Sequence, residues 1–249
     1  MANSDRNWEI WGERDPYYAV LTEPDFRGGM IEANKPAFFA SGDAYITSMI
    51  ALLERHFGNL PRDRALDFGC GVGRLTVPLS DTFASVVGLD ISSAMLREAR
   101  LNSQGRAIEY LHSDDTLSRV EGSFDLVNSS IVLQHIPVNR GMRILRNLLE
   151  RVRLGGGCLI HISIKRRRSK LSELRYRLRH SLPGGQALLN VLAGEARDTP
   201  VMEMNEYPLS DVLRLFHQLG FEDLLVRYGD HGGVDTVLLL ARRGGVVPP

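Results

Sequence analysis

Apolar residues recur at helical spacing over residues 43–57, where Ile46, Met49, Ile50, Leu53 and Phe57 form one stripe. Gly58 and Pro61 close it, which predicts a helix ahead of the first strand. Short apolar runs then alternate with helical patterns. Ala65 and Leu66 predict the first strand, and Val86, Val87 and Leu89 a second that ends on Asp90. Residues 107–111 predict a third strand, and the apolar run within 123–136 a fourth. Residues 158–164 alternate little, so they predict a fifth strand buried on both faces. Between these runs, Ser92 or Ser93 can cap a helix carrying Met95, Leu96, Ala99 and Leu101. Pro137 opens another, with Leu145, Leu148, Leu149 and Val152 on its core face and Gly155-Gly156-Gly157 as its stop. The helix after the first strand carries Pro78 about five residues in, which predicts a kink.

Strand followed by helix, repeated along the chain, predicts an α/β fold with a parallel sheet covered on both faces. The C-terminal stretch adds a helix (Leu209, Val212, Leu213, Phe216, Leu219, stopped at Gly220). Two strands, 221–227 and 235–242, follow, joined by a turn over 228–234. That makes seven strands. If the sixth is parallel to the others, Asp230, His231 and Gly232 lie on the side of the sheet where the strands' carboxyl ends gather.

Two segments break the pattern. Residues 1–41 are rich in aromatics (Trp8, Trp11, Tyr17, Tyr18, Phe26, Phe38, Phe39) and interrupted by Pro16, Pro24, Pro36 and Gly28-Gly29. They predict an irregular strap over the core, or a lid of aromatic rings, without long helices. Residues 165–205 open Lys-Arg-Arg-Arg-Ser-Lys and continue with Leu171, Leu174, Leu178 and Leu182 between arginines. This predicts a basic amphipathic helix, a break at Pro183-Gly184-Gly185, and a second apolar helix with Leu188, Leu189 and Leu192. The chain thus divides into a strap over 1–42, a core over 43–164, a cap insert over 165–207 and a completing segment over 208–249.

The chemistry concentrates at one turn. Asp67 ends the first strand, and Gly69, Gly71 and Gly73 follow at alternate positions. Glycines at a strand-to-helix turn let backbone approach a ligand closely, since no Cβ intervenes. Asp90, at the tip of the next strand, suits a pair of ribose hydroxyls. A dinucleotide site needs Gly-x-Gly-x-x-Gly. Here the third glycine comes one place early, and Arg74 stands where that glycine would be. The Gly-Lys-Ser/Thr of a phosphate-binding loop is absent.

Asp-x-Gly-x-Gly-x-Gly followed by Asp90 resembles the class I S-adenosylmethionine (SAM) dependent methyltransferases of small-molecule type. The resemblance covers about residues 43–164 and 208–242. It implies a three-layer Rossmann-like sandwich whose last strand is antiparallel, with SAM as cofactor. It further implies that Asp67, Gly69, Cys70, Gly71, Gly73 and Arg74 surround the cofactor, with Asp90, Ile91 and Met95 beside its ribose and adenine. An acidic residue after the third strand, Asp114 or its neighbour Asp115, would accept from the adenine amino group. Asn128, Ser129 and Ser130, after the fourth strand, would flank the methionine end, with the cofactor-binding candidate Gln134 and His135 at the mouth of the pocket. His135 and His231 are the candidate bases; His161, within the fifth strand, is a packed histidine. Insertions at 165–205 build the substrate cap in this family.

Composition narrows the remaining choices. The chain has 249 residues, 43% of them hydrophobic, enough for one domain with decorations. No apolar run approaches the ~20 residues of a membrane span. The N-terminus has no signal-peptide core, which predicts a cytoplasmic protein acting away from membranes. Formal net charge is zero, so only a local patch, such as the basic insert, could attract nucleic acid. The two cysteines, Cys70 and Cys158, have neither metal-ligand nor disulfide spacing, and no bound metal is expected. The predicted activity is methyl transfer from SAM to an oxygen or nitrogen of a small molecule, such as a sugar or secondary metabolite. RNA methylation through the basic insert and a non-catalytic SAM-binding module are the alternatives.

Overall fold

A computed structural model describes residues 3–167, 185–192 and 196–244. Most of the predicted basic helix, with its arginines and Leu171–Leu182, lies outside the described residues. Seven described strands form one sheet in the order β3-β2-β1-β4-β5-β7-β6. They are β1 (Arg64–Phe68), β2 (Ser85–Asp90), β3 (Ile108–His112), β4 (Phe124–Ser129), β5 (Val152–Arg166), β6 (Leu224–Asp230) and β7 (Val234–Arg242). The first five pair in parallel, while β7 runs antiparallel to both β5 and β6. Strand order reverses between β1 and β4, the switch point at which such sheets bind ligands. A core containing Leu66, Val127, Ile160 and Leu239 packs under the helices α6 (Val138–Glu150) and Leu209–Gln218 on one face. Leu126, Leu159 and Leu240 meet Ile46, Met49 and Leu53 on the other.

The N-terminal segment is helical, contrary to the irregular strap expected. It comprises α1 (Asn3–Arg14), α2 (Pro16–Val20), two 3₁₀ turns and the 27-residue α3 (Ile31–Phe57). Pro36 is tolerated inside α3 because it removes a single hydrogen bond near the helix start, and aromatic packing offsets the loss. Phe38 is fully buried, with Tyr17, Phe26 and Phe39 edge-on to it at 5.1–5.3 Å. Helix α3 also runs unbroken through the expected boundary at 42/43. The stretch Gly28–Phe57 has the length and mean hydropathy (1.2) of a helix able to cross a membrane, a candidate the search for apolar runs passed over. In this fold its apolar stripe packs against the sheet.

Two glycine and proline readings also change. Helix α4 (Thr76–Thr82) holds Pro78 in its first turn, where Val77 N and Leu79 N still donate to the Gly73 and Leu75 carbonyls and only the bond to the Arg74 carbonyl is forgone. Gly155–Gly157 lie inside β5 rather than ending a helix. There the β4 register shifts between Phe124 and Leu126, and a Cβ on Gly156 would sit 2.9 Å from the Phe124 carbonyl oxygen.

Pro78 leaves the Arg74 carbonyl without its helical donor, and α3 covers that carbonyl with Gly42. A Cβ on Gly42 would fall deep inside contact with the Arg74 carbonyl oxygen. Alanine is better than glycine by about 1 kcal/mol in a helix interior. The backbone clash outweighs that gain, so Gly42→Ala is expected to destabilise the protein by roughly 1–3 kcal/mol in urea unfolding. An unchanged midpoint would contradict the close approach of α3 to the glycine turn.

Candidate active site

A cleft opens above the carboxyl ends of β1, β2 and β4. Its floor is the glycine turn. Gly69, Gly71 and Gly73 have φ of +73°, +53° and +90°, a region that favours glycine. Each is also closed by a different element. A Cβ on Gly69 would overlap Val132 from the loop after β4; on Gly71 it would lie 2.5 Å from Val20 of α2; on Gly73, 2.9 Å from the Tyr110 hydroxyl of β3. The turn is fixed to β2 by Gly69 N and Cys70 N, which donate to the Leu89 carbonyl at 2.7 and 2.9 Å.

Asp67 lies beneath the turn, 2% exposed. Thr76 Oγ1 donates to its Oδ2 at 2.6 Å and Asn128 Nδ2 to its Oδ1 at 2.7 Å. Burial raises its pKa, and these two donors hold it back. One carboxylate thereby joins β1, β4 and the start of α4. The cleft-lining Arg74 is also buried, and Nη1 donates to Ser41 Oγ at 3.2 Å. Cys70 lines the cleft, yet burial pushes its thiol well above the usual range. Cys158 is buried in β5 and likewise raised, so both cysteines are free and unreactive.

Asp90 accepts from Gly71 N at Oδ2 and from Ser92 N at Oδ1, each at 2.9 Å. Each oxygen keeps a lone pair for a ligand. Burial lifts its pKa to about 6 against the pull of those backbone donors. Ser92 caps α5 (Ser93–Asn102) by accepting from Met95 N at 3.2 Å, which sets Ile91 and Met95 at the cleft wall. Asp114 also reaches the cleft, but its carboxylate organises its own loop. Oδ1 accepts from Thr116 N and Oγ1, both at 2.8 Å, and from Ser118 N at 3.1 Å, while Ser118 Oγ donates to Oδ2. Those donors hold its pKa well below the carboxylate range. Asp115 accepts from Arg140 Nε at 2.7 Å.

Beyond β4 the expected grouping separates. Ser130 lines the cleft and donates to the Tyr45 hydroxyl at 3.2 Å. Ser129 and Asn128 are fully buried within the strand and do not reach the cleft, because β4 continues through both. Gln134 is buried outside the cleft lining, its backbone carbonyl accepting from Asn205 N at 2.6 Å and its side-chain Nε2 lying 3.3 Å from His135 Nε2. Ile131, at the rim, has φ +62°, a strained conformation for a β-branched residue. Tyr207 secures the next turn, its hydroxyl lying 2.8 and 3.0 Å from the carbonyl oxygens of Leu133 and Ile136.

That turn presents His135 to the cleft. Its Nδ1 is 2.6 Å from the Glu203 carbonyl oxygen, and Trp8 stacks at 4.8 Å between ring centroids. A carbonyl only accepts, so Nδ1 carries the proton and Nε2 a lone pair, which accepts from Gln134 Nε2 at 3.3 Å. Burial lowers the His135 pKa to about 4, leaving the ring neutral at pH 7. His231 sits on the expected side of the sheet, since β5 and β6 are both antiparallel to β7. It is nonetheless exposed in the hairpin turn, stacked 5.1 Å from His161, and does not line the cleft. From the β6–β7 turn its ring reaches His161 of β5 rather than the glycine turn.

The N-terminal segment covers this cleft. Ser4, Asp5 and Trp8 of α1 line it. Asp5 pairs with Arg140 at 2.5 Å, and Glu9 accepts from Ser93 N at 2.8 Å. Neither Trp8 nor Arg140 was singled out from the sequence as a site residue.

The residues present fit SAM better than a dinucleotide. The glycine turn is filled at Arg74, and the buried Asp67 would repel a pyrophosphate. Asp67 and Asp90 offer acceptors for an ammonium group and a diol, and Ile91 and Met95 offer an apolar wall for a base. No described group of three or more metal-ligating side chains is present.

Comparison with known proteins agrees. Residues 65–156 match the family described as "Methyltransferase domain". The magnesium-protoporphyrin O-methyltransferase of Synechocystis sp. is 35% identical over 96 residues, 36% of this chain and 41% of that protein. The ubiquinone biosynthesis O-methyltransferase of Nitrosococcus oceani is 34% identical over 87 residues, 33% and 37% of the two chains. The matched region thus spans about two fifths of these relatives. Among solved structures, the Synechocystis magnesium protoporphyrin IX methyltransferase with bound SAM aligns with a TM-score of 0.61. It is 17% identical, and the alignment covers 97% and 98% of the chains. The N-methyltransferase NodS of Bradyrhizobium japonicum, with S-adenosyl-l-homocysteine, aligns at 0.59 with 13% identity and the same coverage. These alignments extend the shared fold over nearly the whole chain.

Proposed function

We propose that this chain, whose residues 65–156 match the methyltransferase-domain family, is a class I SAM-dependent methyltransferase that transfers a methyl group from SAM to an oxygen of a small-molecule acceptor. The observation that carries this reading is the left-handed glycine turn held between the buried Asp67 and the half-buried Asp90, both lining one cleft. The two curated relatives described above are named as O-methyltransferases, which favours oxygen over nitrogen.

When bound, SAM supplies an electrophilic methyl group on a sulfonium. The chain's own residues do the rest. Asp90 holds the ribose hydroxyls, Ile91 and Met95 enclose the adenine, and the glycine turn lets the backbone approach. Holding the two reactants in line supplies several kcal/mol of the barrier reduction. His135 Nε2, kept unprotonated by burial, would exchange its Gln134 contact for the acceptor's hydroxyl and take that proton as the O–CH3 bond forms and the S–CH3 bond breaks, the sulfur leaving as a neutral thioether. Trp8 and α1 shield the cleft from water.

The test is incubation with methyl-labelled SAM and a panel of hydroxylated, carboxylated and aminated small molecules. Label is expected in at least one oxygen acceptor. Tight SAM binding with no transfer to any member would favour a non-catalytic binding module.

A further inference from the structure

We propose that the methyl acceptor is a hydroxy acid, its hydroxyl set at His135 and its carboxylate held outside the cofactor cleft by Arg227, with His161 and Tyr45 between. This rests on the methyl-transfer reading above and names the acceptor class for that site.

The placement follows from strand register. β4 and β5 pair Ser129 with Ile160, so Ser130, one residue on, lies beside His161. β7 pairs Leu238 with His161 on one side and with Arg227 of β6 on the other. Directly opposed residues share a face of the sheet, so Ser130, His161, Leu238 and Arg227 form one row across it. Leu238 packs with Ile46, Met49 and Leu53, which puts the row on the α3 face. Three strand spacings make the row about 14 Å long. Ser130 lines the cleft, and the row leads outward from it.

Three donors stand along this row. Tyr45 of α3 accepts from Ser130 Oγ at 3.2 Å and keeps its own hydroxyl proton to give. His161 is 6% exposed, and its buried Nδ1 has no partner. Burial, then the neighbouring His231 and His135, lower its pKa to about 3, so at pH 7 the ring is neutral and offers one N–H. Arg227 is exposed, and its Nη1 lies 3.8 Å from Met49 Sδ. Among the described residues none of the three bonds a carboxylate. Asp230 and Asp235, at the β6–β7 hairpin, are both engaged by Arg167. A buried polar atom without a partner is costly, so the row is completed by a ligand that accepts. One full charge beside two neutral donors suits a singly charged carboxylate better than a phosphate, which carries nearly two charges at pH 7. Leu238, buried between His161 and Arg227, gives the acceptor's body an apolar bed.

The experiment titrates the full chain, loaded with S-adenosylhomocysteine, with 3-(4-hydroxyphenyl)propanoate and with its primary amide, which removes only the charge. A hydrogen bond to a charged group corresponds to ~10–100-fold in affinity, and the exposure of Arg227 puts the expected preference for the acid near ~10-fold. In Arg227→Met, which keeps an apolar stem without the charge, the preference should shrink to within about threefold, with affinity for the amide preserved. His161→Leu should weaken the acid by roughly threefold or more and leave the urea midpoint no lower, because an unpartnered imidazole is removed. Equal affinities for acid and amide, no binding of the acid, or an Arg227→Met that weakens both alike would overturn the acceptor class. Labelled transfer to a neutral alcohol alongside any of those results would leave the methyl-transfer reading standing. A native chain that does not bind S-adenosylhomocysteine would instead overturn that reading itself.

Discussion

Asp90→Ala is expected to weaken SAM binding by at least ~100-fold, because two charge-assisted hydrogen bonds to the ribose would be lost together. The fold should survive, since of the two donors released Gly71 N faces a cleft that can admit water and only Ser92 N is left buried. The pH dependence identifies the same group. Burial holds Asp90 near a pKa of about 6, above its unfolded value of about 3.9. Between those values the folded chain keeps a proton that the unfolded chain has lost. Its contribution to stability is therefore present below the unfolded pKa and lost as pH rises through about 6. Binding runs the other way, because protonation removes an acceptor. SAM affinity should fall roughly tenfold per pH unit below 6 in the native chain and stay flat in Asp90→Asn. Calorimetry from pH 5 to 8 checks both. A flat native profile would contradict the role given to Asp90.

His135→Ala is expected to lower kcat by roughly 10²-fold, the low end of the range for a lost general base, and to leave the SAM Kd within about threefold. The low end applies because burial keeps the ring a weak base, with a pKa of about 4. The same burial means no histidine ionisation near pH 6.5 should appear in the kcat profile. His231→Ala, outside the cleft, should leave kcat unchanged. Single-turnover kinetics on the two variants separate the roles. Equal losses in both would contradict the assignment.

The glycine turn, Asp90, Ser92 and the seven-strand sheet were legible because each depends on local pattern. Alternate glycines, a strand-end acid and a capping serine carry their geometry in a few consecutive residues. The contacts that complete the site are long-range and leave no such trace. Asn128 meets Asp67 across 61 positions, and Glu203 meets His135 across 68. Ser129 and Gln134 looked like cleft residues because they flank the end of β4, but the strand runs through Ser129, and Gln134 sits in the 3₁₀ turn Leu133–His135 packed against Asn205. His231 was placed on the correct side of the sheet from strand direction alone; its lateral position needed the strand order. The helices of the first 42 residues were obscured by Pro16, Pro24 and Pro36. Those prolines fall at helix starts or where aromatic packing offsets a lost hydrogen bond. Asp114 shows the converse: the sequence marked an acid at the right strand end, yet four local donors already use it.

The central claim is that the turn from Asp67 to Arg74, with Asp90, forms a SAM site. Parallel titrations of the native chain with SAM and with NAD test it most directly. Saturable SAM binding at micromolar concentration, with no NAD binding under the same conditions, is the expected result. Tight NAD binding without SAM binding would contradict it.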